Sequence, residues 1–181
     1  MMKTILLIFS SLIFCWTSSA QEVAETSKLK SGIELGSAFS YSGLNANLAY
    51  TMEWKENVLF VGPKISLSKS YLASRGPWGI HAGYRRLLPR QSKWDSFASL
   101  EYQIAFLQPQ NPYNLDINGK NEIHEIHLSY GIQFEVLNGL IIGNSIGAGV
   151  YFERFFDSLT GEKKSFDGYN AQVRLFAQYS F

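Results

Sequence analysis

The chain lacks paired cysteines, a long apolar run and a catalytic signature. Cys15 is the only cysteine among 181 residues, so an exported domain stapled by internal disulfides is excluded. The N-terminal apolar run, Ile5 to Trp16, falls short of the roughly 18 residues a spanning helix needs. No P-loop, dinucleotide fingerprint or HExxH occurs, and no cofactor is implied. Charge of one sign is also missing: with Lys3 set aside from the 16 Lys and Arg, the basic count equals the 15 Asp and Glu. Nucleic acid, which asks for a basic patch, is not an expected partner.

Lys3, the short apolar run and Ser18-Ser19-Ala20 together read as a secretory signal peptide over residues 1–20, with Gln21 the first mature residue. Phe14 stands where a lipoprotein would place a small residue before the modified cysteine. Residues 21–31 are mostly polar and read as a periplasmic lead-in; the remainder, 32–181, forms one domain. What the chain does have is aromatics, 15% of residues, and 15 glycines, at a mean hydropathy of −0.06. Such an average hides alternation.

Alternation is clearest in Tyr169 to Phe181. Tyr169, Ala171, Val173, Leu175, Ala177, Tyr179 and Phe181 share one face, while Gln172, Arg174, Phe176 and Gln178 share the other. A period of two with an apolar set opposite a polar one describes a strand between lipid and a polar lumen. Seven further segments carry the same pattern: 32–41, 44–54, 59–68, 78–85, 94–106, 125–136 and 140–156. Pro63 interrupts the third and predicts a bulge or an unpaired site. Asn138-Gly139 predicts a two-residue hairpin.

The segment 140–156 has a competing reading, because Gly139, Gly143 and Gly147 have the spacing of a helix-packing GxxxG. Asn144 and Ser145 sit mid-run, and one helix among seven such strands would leave open sheet edges in hydrocarbon. A strand is therefore expected. The connections should alternate between short inner turns and longer outer loops. They do so apart from the brief one at Ser42-Gly43, with outer loops expected over 69–77, 108–121 and 157–168.

The fold class these patterns predict is all-β, an eight-stranded antiparallel up-and-down transmembrane barrel. In size, pattern and the terminal Leu175, Tyr179 and Phe181, the chain resembles the small eight-stranded outer-membrane barrels, similar to OmpX and the membrane domain of OmpA. The resemblance implies a cell outer-membrane location, outer-membrane lipid and lipopolysaccharide as surroundings, and a C-terminal strand read by the barrel-assembly machinery. It also implies a monomer whose outer loops meet any surface ligand. No peptidoglycan-binding domain is expected after Phe181, which removes a wall-tethering role.

Parity places Glu34, Lys64, Arg85, Glu101, Glu153 and Arg174 inward, and an eight-stranded lumen is just wide enough for side chains to fill. These residues are expected to form one charge network, because an unpaired charge in so narrow a space is costly. Catalytic candidates reduce to His127 with Ser129, two apart on one face, and Glu135. The pair resembles the outer-membrane lipid A deacylases, whose Ser, His and Glu form a hydrolytic triad. A lipid-cleaving triad must face the bilayer, however, and parity turns His127 and Ser129 to the lumen. His124 and His127 are three apart, fall on opposite faces and cannot share a metal. The functional expectation is a structural or surface-interaction protein with a filled polar lumen; the alternatives are a lipid A-modifying hydrolase and a narrow channel.

Overall fold

The computed structural model describes residues 29–67, 78–89, 94–107, 121–157 and 162–181. The expected signal peptide, most of the lead-in and most of the outer loops lie outside them. Eight strands follow one another in the chain: β1 (Lys30–Ser40), β2 (Gly43–Trp54), β3 (Asn57–Ser66), β4 (Trp78–Leu87), β5 (Asp95–Leu107), β6 (Asn121–Leu137), β7 (Leu140–Asp157) and β8 (Glu162–Ser180). Each pairs antiparallel with the next and β8 closes on β1, giving a barrel.

Closure gives every strand a hydrogen-bonded neighbour on both sides along the barrel body. The seam is β1–β8, paired from Gly32↔Ser180 to Phe39↔Val173. It is extended at the lower end by Phe181 N–H donating to Ser31 O at 2.8 Å. "Lower" here means the end bearing the start of β1, the end of β8 and the connections after β2, β4 and β6; "upper" is the other. The segment with the GxxxG spacing is strand β7, and its Gly143, Gly147 and Gly149 sit directly opposite Phe176, Gln172 and Asn170 of β8.

Inside and outside are inverted relative to a water-soluble domain. Glu34, Arg85, Glu101, His127 and Arg174 are buried, whereas Leu128 is 68% and Ile146 65% exposed. Around Pro63 the β2–β3 register is the same on both sides, from Asn47↔Lys64 to Tyr50↔Val61. The proline breaks pairing locally without a bulge. The register shift lies instead at Glu135/Leu137, beside the Asn138-Gly139 hairpin, where Gly139 takes φ 81°.

Several expected boundaries are corrected. β1 begins at Lys30, so the lead-in does not extend to residue 31. β6 starts at Asn121, and β8 at Glu162, so most of the expected loop 157–168 is a continuation of the β7–β8 hairpin. Residues 162–167 are exposed throughout. A hairpin wetted on both faces needs no alternation, so period-two reading passes over it. Tyr41, the last residue of the expected first strand segment 32–41, lies in the β1–β2 turn and stacks on Tyr151 at 3.7 Å.

Candidate functional site

Three inward phenylalanines set the floor of the lower lumen. Phe60, Phe97 and Phe176 each lie directly across the ladder from an inward glycine, Gly83, Gly131 and Gly143 respectively. In each pair a Cβ on the glycine would overlap the ring. Glycine here is room for an aromatic on the neighbouring strand. Gly143→Val should therefore lower barrel stability by about 1–3 kcal/mol, the usual cost of overpacking. The check is the urea midpoint of the folded form; an unchanged midpoint would show that the ring moves without cost.

Two guanidinium groups pack against these rings. Arg85 Cζ lies 3.9 Å from the Phe176 ring centroid and 4.9 Å from that of Phe97, and Arg174 Cζ lies 4.6 Å from Phe60. Cation–π contacts of this kind gain strength when desolvated. Glu34 bridges the pair: its Oε2 accepts from Arg85 Nη2 at 2.6 Å and its Oε1 from Arg174 Nη2. Arg174 Nη1 also reaches Glu101 Oε1 at 3.0 Å, and Glu101 Oε2 lies 3.3 Å from His81 Nε2. Arg85 Nη1 donates to Gln133 and Gln178, each at 3.3 Å. Two cations and two carboxylates thus balance in a fully buried space.

Lys64 and Glu153, expected in the same network, stand apart from it. Lys64 Nζ donates to Gln103 Oε1 at 2.8 Å and to Ser42 Oγ at 3.1 Å, nearer the upper mouth. Glu153 accepts from Tyr41 OH at 3.0 Å. Burial and the Glu153 carboxylate hold the Tyr41 phenol above the usual tyrosine range. The short first outer turn explains both contacts: it folds inward, buries Ser42 and lets Ser42 N–H donate to Glu125 Oε1 at 2.8 Å. Distance along the barrel axis separates the three groups, and parity carries no information about that distance.

The catalytic candidates do not assemble into a triad. His127 and Ser129 are buried and inward, facing away from the apolar exterior. Glu135 keeps the inward register of Gln133 but lies at the lower mouth, where it is exposed and accepts from Gly139 N–H at 2.9 Å in the hairpin turn, away from His127 and Ser129. Glu125 Oε2 is 3.6 Å from His127 Nε2, and among the described residues Ser129 Oγ has no hydrogen-bond partner. A nucleophile with no base in reach is not activated. His124 is outward, its Nδ1 2.7 Å from Tyr102 OH. Among the described residues no cluster of three metal-ligating side chains occurs.

Parity puts His81, Phe60, Phe97 and Phe176 inward but assigns them no part in a cluster; the structure does. The available signal is the inward phenylalanine itself, since a lumen position filled by an aromatic needs a small neighbour across the ladder.

No protein-family model matches the chain, and no curated protein matches it by sequence. Among solved structures it is similar to a major outer membrane protein from Thermus thermophilus, with 16% identity and a TM-score of 0.45, over 84% of this chain and 99% of that one. It is similar to Neisserial surface protein A, with 11% identity and a TM-score of 0.48, over 84% and 96%. A third is Ail, the attachment invasion locus protein of Yersinia pestis, in complex with the heparin analogue sucrose octasulfate. The match there is 14% identity and a TM-score of 0.40, over 85% and 99%.

Proposed function

We propose that this chain is an integral outer-membrane barrel, not an enzyme, with a lumen sealed in its lower half and its work done at the outer rim. The observation that carries the reading is the inversion itself, with charges buried inside and large apolar side chains exposed around the outside. An apolar belt of that extent is stable only against hydrocarbon. Aromatic residues near both ends suit the two interfaces: Trp94 packs on Phe134 below and Trp78 on Phe106 above. Outer-membrane lipid and lipopolysaccharide then surround a monomer, and the barrel-assembly machinery engages β8.

The rim role rests on unequal strand lengths. β1 to β4 have 10 to 12 residues, whereas β6, β7 and β8 have 17, 18 and 19. Among the described residues, one wall therefore rises above the mouth. Above Val173, no strand among the described residues pairs with β8 on the side away from β7, and an exposed strand edge is a template for a partner strand. Lys163 and Lys164 at its top are exposed and keep the edge from self-association.

Orientation is tested on intact cells with a membrane-impermeant amine reagent. Lys163 and Lys164 should be modified and Lys55, in a lower turn, should not. Labelling of Lys55 with protection of the hairpin would overturn the proposed placement of the rim.

A further inference from the structure

The barrel exterior carries an open apolar groove, of about 500 Å³, on the β2–β6 side. Its origin is one small residue. Ladder pairing sets Tyr50, Val61, Ala82, Tyr102 and Ile126 side by side in a single outward row. Ala82 is the only short side chain in that row. Beneath it lies a row of Leu59, Tyr84 and Leu100, so the dent at Ala82 is walled by bulky neighbours.

We infer that this groove holds one acyl chain of a phospholipid from the lower leaflet, with the lipid phosphate beside Arg86. The inference rests on the membrane reading above. Three observations select the occupant. The lining is almost wholly apolar, and the volume lies within the range of about 300–1,000 Å³ typical of ligand sites. The rim tyrosines are already engaged: Tyr50 OH is 2.7 Å from Ser31 Oγ, Tyr84 OH donates to Asn57 Oδ1 and Tyr102 OH meets His124. They are thereby held apart instead of falling across the dent. At the lower end, Arg86 is exposed one outward position below Tyr84, with Lys55 exposed in the adjoining turn. A guanidinium at that level suits a phosphate ester.

The test is native mass spectrometry of the full barrel, extracted in mild detergent and supplied with a defined phospholipid. Wild type should retain one phospholipid per barrel after detergent exchange. Ala82→Phe, which fills the dent from the outer face, should lose it. Arg86→Gln should retain less, while Ala148→Phe on β7, outside the groove lining, should behave as wild type. Each variant is first shown to be folded by its heat-modifiable mobility. Retention by Ala82→Phe equal to that of wild type, or a folded wild type retaining no lipid, would overturn the groove. So would preferential retention of a lipopolysaccharide over the phospholipid. A chain recovered in the soluble fraction without detergent would instead overturn the membrane reading.

Discussion

Arg174→Ala is expected to cost the folded barrel about 3 to 5 kcal/mol, the usual penalty for breaking a buried charge pair by removing one partner. Arg174 is the shared cation of the cluster, contacting Glu34 and Glu101 together while stacking on Phe60. Its loss leaves two buried carboxylates with Arg85, which contacts Glu34, and His81, which reaches Glu101 at 3.3 Å. It also empties the space between rings. The comparison is Arg154→Ala, since Arg154 is exposed on the protruding part of β7 and its removal should change little. Urea midpoints of the heat-modifiable form read both. An Arg174 variant as robust as the Arg154 variant would mean that the cluster contributes nothing to stability.

The second large effect concerns ion flow. Purified wild type should give no steady conductance in planar bilayers, because a water path would have to pass between two guanidinium groups and three phenyl rings in the lower lumen. The double variant Glu34→Ser with Arg85→Ser removes one charge of each sign and leaves Arg174 opposite Glu101 at 3.0 Å. It should therefore still fold while widening the throat, and a small ohmic current should appear. Above the cluster, the walls are already polar, and buried atoms such as Ser129 Oγ, Glu125 Oε2 and the Gln172 amide have no hydrogen-bond partner among the described residues. Such groups suit ordered water, which makes the lower cluster the barrier. A steady ohmic pore in the wild type would remove the seal and restore the channel reading.

The weight that falls on a single cluster residue is not legible in the sequence. Parity identifies the inward set, including Glu34, Arg85, Glu101 and Arg174, yet it groups Lys64 and Glu153 with them. Lys64 binds Ser42 and Gln103, and Glu153 binds Tyr41. Which inward residues meet depends on the relative height of strands that are far apart in sequence. Arg174 and Glu34 are 140 residues apart and Arg85 and Glu34 are 51. Ladder register, not spacing, sets those heights.

Strand count, the antiparallel order and the choice of outer face were determined by the sequence, because lipid favours apolar side chains on one face and the narrow lumen takes mostly polar or small ones on the other. A period of two is the only pattern that meets both demands on one strand. Even β7, with its helix-like glycine spacing, obeyed it. The pattern fell silent where lipid stops acting as a constraint. Above the belt, the β7–β8 hairpin is wet on both faces and lost its alternation, so a rising wall read as a loop. At the hairpin below, Glu135 keeps its inward register but sits at the open mouth and accepts from Gly139 N–H. Only the tertiary structure decided how the eight strands are staggered around the barrel. That stagger brought two arginines, two glutamates and three ring–glycine pairs to one level, folded Tyr41 and Ser42 over the mouth, and left Ala82 as a dent among bulky neighbours. The physical reason is that alternation is enforced residue by residue by the solvent on each side, whereas stagger is a collective property of closing the sheet on itself.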